Sequence, residues 1–335
     1  MLLVWLKLAL LIGVIVFTGS KLSRYGDILG EKLGLSGSWI GVVLLAGVTS
    51  LPEMFSGISA SALVRQPDLA IGNIYGACVM NLVVVAIIST LHTQGQISAR
   101  VGREQALSAA LGMIAIAFSG LGLFVSGQKI IPVSLFDVGL FSLGAFIVYL
   151  AAQHMIYRHE VENPGPAKEP EYGHISMRQA ATRFLLAAVV IVAAGLYLPK
   201  VADELALAMG WGRSFVASVF MSLATTSPEM VVSISALRMG QAGMALGNLF
   251  GSCIFNVSLI FVDDVFYRGS ILADVSQTHI FTAFLVLAMM GVSLTGLLFP
   301  RRQKGLGMIG WDAALIMALY LLGVFVIYRM GLALG

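Results

Sequence analysis

The chain has 335 residues, 58% of them hydrophobic and 11% charged, with a formal net charge of +3. Soluble domains carry about 25% charged residues. This chain therefore cannot cover a water-facing surface, and its mean hydropathy of +0.92 excludes a soluble enzyme or a soluble nucleic-acid-binding domain of ordinary composition.

Ten apolar runs approach the roughly 20 residues that a helix needs to cross the hydrocarbon core. They cover 2–19, 39–63, 69–91, 104–125, 133–157, 180–198, 213–237, 242–262, 279–299 and 311–331. The first lacks a small-x-small cleavage site and is followed by "SKLSRYG", so it is expected to be a retained span rather than a signal peptide. The second holds "GVTSLPEMFSGISA", Gly47 to Ala60, and the third "AIGNIYGACVMNLVVV", Ala70 to Val85. The fifth ends in the one long polar linker, "YRHEVENPGPAKEPEYGHISMRQ", Tyr157 to Gln179, whose prolines, glycines and mixed charges predict a loop. The seventh holds "LATTSPEMVVSISA", Leu223 to Ala236, and the eighth "ALGNLFGSCIFNVSLI", Ala245 to Ile260.

These stretches form an internal repeat. Glu53 and Glu229 lie 176 residues apart, and Gly72 and Gly247, Asn73 and Asn248, and Asn81 and Asn256 each lie 175 apart. The unit is half the chain: residues 1–157 with five spans, a linker at 158–179, and residues 180–335 with five spans. An odd number of spans turns the second half over in the membrane. The expected fold is an all-α polytopic membrane protein, ten transmembrane helices as two inverted five-helix repeats. Such transporters bind their substrates near the midplane, at interrupted helices where the halves meet. Thirteen of the twenty Lys and Arg fall on the side of the central loop. The positive-inside rule then places that loop in the cytoplasm and both termini outside a cell membrane.

An acid at a helix centre costs about 2.5–3.5 kcal/mol. Glu53 and Glu229 sit about mid-span with no Lys or Arg near mid-span in either half, which leaves protons, water or a bound cation to compensate them. Pro52 and Pro228 supply no N–H and so free the carbonyls of Val48 and Ala224. Freed carbonyls in a bilayer must face protein or a watery cavity. Thr49, Ser50, Thr225 and Thr226 add hydroxyls on the same turn, and Asn81, Asn256 and Ser252 can offer side-chain oxygens from the neighbouring runs. Such an all-oxygen cluster suits a hard cation; two carboxylates match one divalent ion in charge and are equally neutralised by monovalent ions or protons. Asn73 and Asn248 either join them or hold helix starts.

Other polar residues have plainer readings. Cys78 and Cys253 are expected to be small packing residues at equivalent positions. Asp137, Asp263, Asp264 and Asp312 are expected at the membrane interface. His92, His154, His159, His174 and His279 fall at span ends or in loops and are assigned no metal role.

The motifs "GVTSLPE", "GNIYGACVMN", "ATTSPE" and "GNLFGSCIFN" resemble the two signature repeats of the cation/calcium exchanger superfamily, as found in prokaryotic sodium/calcium exchangers. The resemblance implies that Glu53 and Glu229 are central ligands shared by Ca²⁺ and Na⁺. It implies that Thr49, Thr225, Ser50 and Thr226 give hydroxyl or carbonyl oxygens, that Ala46 and Ser222 give carbonyls one turn earlier, and that Ser252, Asn81 and Asn256 complete the sodium positions. It also implies that the first and sixth spans slide across the rest. The chain departs from the pattern at Asn81 and Asn256, where one acid is common, and at Ala77, Cys78, Cys253 and Ser227. The resulting expectation is an antiporter exchanging Ca²⁺ for Na⁺ by alternating access, without a cofactor, acting as a monomer in the bilayer on inorganic cations and not on nucleic acid. A proton-coupled antiporter for Ca²⁺ or another divalent cation is the alternative, and a passive cation channel stands behind it. No Ser-Lys or His-x-x-x-His arrangement in the spans suggests an enzyme.

Overall fold

The computed structural model describes residues 1–33, 46–91, 99–128, 134–135, 138–162, 175–267, 269–299 and 310–334. The protein is almost wholly helical, and its helices follow the apolar runs. They are α1 (Leu2–Lys32), α2 (Leu51–Ile58, continued by a π-helical turn Ser59–Val64), α3 (Pro67–Leu91) and α4 (Ala99–Gly127). There follow α5 (Leu140–Glu162), α6 (Met177–Met209), α7 (Arg213–Thr225) and α8 (Ser227–Arg238). The last three are α9 (Ala242–Phe266), α10 (Thr278–Leu298) and α11 (Trp311–Leu334). Among the described residues, eight helices are long and apolar enough to span a membrane, and α7 with α8, bent by 47°, makes a possible ninth. The first part of the expected run 39–63 lies outside the described residues.

Two expected spans are corrected by the helices themselves. The first and sixth spans, read as 2–19 and 180–198, are helices of 31 and 33 residues. No proline interrupts α1, so its polar segment from Ser20 continues the helix beyond the apolar run. A capping box at Ser176 and Gln179 starts α6 earlier than its apolar run, and α6 runs through Pro199 to a left-handed Gly210. The all-α class holds, with one small addition: Ser134–Leu135 pairs antiparallel with Val138–Gly139 just ahead of α5. A side chain holds that backbone, because Asp264 accepts hydrogen bonds from the Gly139 N–H at 2.6 Å and from the Ser142 hydroxyl.

The two G-N-x-x-G runs form the core. Over their most apolar windows α3 and α9 are each 78% buried, against 17% for α1 and α5. Their glycines let partners approach closely. A Cβ at Gly76 would overlap the Ser218 backbone of α7. α3 and α9 meet at the two cysteines, where the Cys78 thiol donates to the Cys253 carbonyl (3.7 Å) and the Cys253 thiol to the Cys78 carbonyl (3.9 Å). The cysteines are free thiols, fully buried.

α1 and α6 lie antiparallel against each other on the outside of this core. Lys7 pairs with Glu204 at 2.7 Å, and Arg183 donates to the Tyr25 hydroxyl at 3.2 Å. Their outward faces carry Leu6, Leu10, Phe17, Leu185, Leu186 and Val189, all exposed. In water such a belt would aggregate; in lipid it is the solvated surface.

Candidate cation site

Proline sets the local geometry of both acidic stretches. Pro52 and Pro228 each stand in the first turn of a new helix, α2 and α8, and each is followed by its glutamate. A helix that restarts there turns its N-terminal N–H groups and the positive end of its dipole toward that first turn, where an acid is favoured. The Ala224 carbonyl, freed by Pro228, accepts from the Ser227 hydroxyl at 2.6 Å. Leu51 stands at the equivalent place in the first half and has no hydroxyl to do the same.

The glutamates are buried, with Glu53 1% and Glu229 0% exposed. Each is held by a hydroxyl from the other half. Ser50 donates to Glu229 Oε1 at 2.9 Å, and Thr226 donates to Glu53 Oε1 at 3.2 Å. Ser50 and Thr226 are repeat-equivalent, so the two bonds are one interaction drawn twice. They bring the acidic turns together at the junction of α2 and α8. The remaining oxygens, Glu53 Oε2 and Glu229 Oε2, have no hydrogen-bond partner.

The other expected residues stand around this pair in two groups. Thr49 and Thr225 donate back to the carbonyls of Ala46 (3.1 Å) and Ser222 (3.3 Å), so those carbonyls are engaged within their own turns here. Thr225 also donates to Asn73 Oδ1 at 3.1 Å. By contrast, Asn81 and Asn256 have both side-chain polar atoms unpartnered, as has the Ser252 hydroxyl, and all three residues are at most 1% exposed. A buried polar group without a partner costs about 1–3 kcal/mol, so these unpartnered groups are a concentrated cost beside the two acids. Among the described residues no group of three His, Cys, Asp or Glu could hold a metal. A cation here would meet two carboxylates, amides and hydroxyls, a set suited to hard ions.

Two small residues seat the outer helices on the breaks. A Cβ at Gly19 of α1 would overlap the Pro228 ring. A Cβ at Gly195 of α6 would meet Phe55 Cβ at 3.1 Å and the Pro52 carbonyl at 3.3 Å. Gly19 and Gly195 are 176 residues apart, as are Pro52 and Pro228. Each long helix therefore rests on the proline of the opposite half's acidic turn.

A family model described as "Sodium/calcium exchanger protein" matches residues 3–155 and 180–330. The chain belongs to the sodium/calcium exchanger family. It is 26% identical over 336 residues to the sodium/calcium exchanger MaX1 of Methanosarcina acetivorans, covering 90% of this chain and 91% of that one. A solved H⁺/Ca²⁺ exchanger superposes with a TM-score of 0.69 at 16% identity, over 99% of this chain and 86% of that chain. A solved sodium-calcium exchanger, NCX_Mj, gives 0.61 at 19% identity, over 97% and 99%. At those identities the structures show the shared fold. Membership in a family of membrane ion exchangers sets the chain among transporters rather than catalytic enzymes.

One further polar residue joins the surroundings of the site. Ser233 accepts from Asn248 Nδ2 at 3.1 Å, and only its repeat offset from Gly57 could have drawn attention to it. The two aspartates lie in the last turn of α9. Asp263 and Asp264 are fully buried within the protein, because the Val138–Gly139 strand and the short helical turn Ile271–Asp274 fold over the helix end. Asp312, as expected, lies at the start of α11, partly buried, and accepts from Ser89 at 3.0 Å. Asp137, His92 and His174 lie outside the described residues. His279 is buried at the start of α10, where it contacts Asp68 at 3.0 Å.

Proposed function

We propose that this exchanger is a secondary-active antiporter that trades Ca²⁺ for Na⁺ at one site, alternately open to either side and centred on Glu53 and Glu229. The observation that carries the proposal is the reciprocal pairing of Ser50 with Glu229 and Thr226 with Glu53, which draws two buried acids together and leaves one oxygen of each unsatisfied. The proposed ligands are Glu53 and Glu229, the oxygens of Thr49, Ser50, Thr225 and Thr226, the side chains of Asn81, Asn256 and Ser252, and the carbonyls of Ala46 and Ser222. Each carbonyl also accepts a backbone N–H, from Ser50 (3.0 Å) and Thr226 (2.9 Å), and would offer its second lone pair when Thr49 and Thr225 turn their hydroxyls toward an ion.

Coupling in this scheme is electrostatic. An empty site leaves two carboxylates uncompensated in a low-dielectric interior, a cost of several kcal/mol per ion. Ca²⁺ or its counter-ions bring the site near neutrality and let α1 and α6 move across the core. The working unit is a monomer of two inverted five-span halves, residues 1–157 and 180–335, joined by a cytoplasmic linker at 158–179, with both termini outside.

Proton coupling is the second reading, and a specific observation favours it. Asn81 and Asn256 are both amides, so the described site has two carboxylates to share among monovalent ions, and the glutamates themselves can carry protons. Proteoliposomes loaded with ⁴⁵Ca²⁺ and given Na⁺, K⁺ or H⁺ gradients one at a time separate the readings. Efflux driven by the Na⁺ gradient alone is the expected result. Efflux driven only by H⁺ replaces sodium with protons, and efflux indifferent to all three would mean a channel.

A further inference from the structure

Asp263 and Asp264 end α9 side by side, both 0% exposed, in opposite circumstances. Asp264 is fully engaged: it accepts from the Gly139 N–H (2.6 Å), the Ile271 N–H (2.7 Å) and the Ser142 hydroxyl. Its role is to fasten the β pair and the following turn to the helix. Asp263 has no partner at either carboxyl oxygen. It lies against Gly57 of α2, where a Cβ would overlap both oxygens and the carboxyl carbon. An ionised carboxylate so placed is among the costliest groups a protein can bury, and such a group neutralises instead.

Its position ties it to the ion path. Gly57 stands one helical turn beyond Glu53 on the same face of α2. Ser252, Asn256 and Asp263, spaced four and seven residues apart, share one face of α9. α2 packs on α9. The seam between them thus carries polar groups from the central acid to Asp263, and the hydroxyls of Ser56 and Ser61 beside it on the α2 side are also buried without partners. The repeat is broken on both sides of this contact at once. At the offsets of the two motifs, Gly57 corresponds to Ser233 and Asp263 to Ile88, both buried. An acid and the space for it occur together in one half only, which packing alone does not require.

We propose that Asp263 is a proton-binding site on the ion path. Its carboxyl group holds a proton while the α2–α9 seam is closed. When the seam hydrates, the O–H bond breaks, the proton passes to water and the carboxylate is left facing that water. A metal ion at this place would find one free carboxylate and two serine hydroxyls, because the Asp264 carboxylate is taken up by three hydrogen bonds; a proton needs only the one carboxylate and is the ion the surroundings suit. The titratable group bearing on it is Asp264, next in the chain, and the nearest acid on α2 in sequence is Glu53, one turn from Gly57; among the described residues no Lys, Arg or His pairs with it. The proposal rests on the antiport reading but not on which monovalent ion drives exchange.

Two readouts on the full chain in lipid test it. Infrared difference spectra between acid and alkaline buffer are expected to contain a carboxylic-acid carbonyl component that is lost in Asp263→Asn. Initial ⁴⁵Ca²⁺ flux in the wild type is expected to rise with pH, as Asp263 loses its proton and the seam opens. Asp263→Asn is permanently neutral and is expected to show the wild type's acid-side rate at every pH, with Ca²⁺ affinity retained. Asp263→Leu, which restores the apolar character of Ile88, should behave as Asp263→Asn does and serves if the amide fails to assemble. An unchanged infrared component, or a wild-type pH profile in the variants, overturns the proposal; so does failure of both variants to fold, which would make the acid structural. A wild type with no Ca²⁺ flux would instead sink the antiport reading and leave the infrared component to decide Asp263 alone.

Discussion

The smallest unit of the account is a hydroxyl from one half bonded to a carboxylate of the other. Hydrogen bonds to charged groups contribute about 1.5–3 kcal/mol, and 1.4 kcal/mol is tenfold in affinity. Ser50→Ala and Thr226→Val should therefore each weaken Ca²⁺ binding about tenfold or more, by similar amounts because the positions are equivalent. Thr226→Ser should retain wild-type affinity; titration with ⁴⁵Ca²⁺ checks all three. Ion binding to the folded state should also appear as stability. At a Ca²⁺ concentration one hundred times the dissociation constant, the gain is about 2.7 kcal/mol. Chelation should remove it in thermal unfolding, and in Glu53→Gln and Glu229→Gln neither Ca²⁺ nor chelator should shift the transition.

At the scale of helices, the glycine–proline seats are the points where motion would be governed. Overpacking a fitted contact costs about 1–3 kcal/mol. Gly19→Ala would press on the Pro228 ring, and Gly195→Ala on the turn at Pro52 and Phe55. Each should lower the maximal exchange rate while leaving equilibrium Ca²⁺ affinity near wild type; a matched fall in affinity would mean that the substitution deforms the site rather than the bearing. These seats also show what was legible beforehand. Pro beside Glu inside an apolar run announces a broken helix from local rules alone, and the shared offset announces its twin. The partners of each break were not legible, because a glycine in a long apolar run reads as packing until a neighbour is placed on it. Helix ends failed for a related reason. The apolar run measures the bilayer, whereas α1 and α6 stop where hydrogen bonding and caps stop them, 13 and 11 residues beyond the apolar runs. The burial of Asp263 and Asp264 was not legible, because proximity to a span end suggests water, while a two-residue β pair and a short helical turn cover that end.

Across the whole molecule, two core helices, α3 and α9, carry the asparagines, the prolines of α2 and α8 bring the acids to them, and the antiparallel pair α1 and α6 lies outside. Topology can be checked independently of transport. With the central loop in the cytoplasm, a cysteine introduced at Ala167 on a background lacking Cys78 and Cys253 should react with a membrane-impermeant maleimide only after cells are opened. Labelling of intact cells would invert the orientation without touching the site. The claim on which all of this depends is that one cation binds between Glu53 and Glu229. Equilibrium ⁴⁵Ca²⁺ binding to purified protein tests it most directly. The account predicts one ion per wild-type chain, displaced by the counter-ion, and none in Glu53→Gln or Glu229→Gln proteins that remain folded. Undiminished binding in either variant would contradict it.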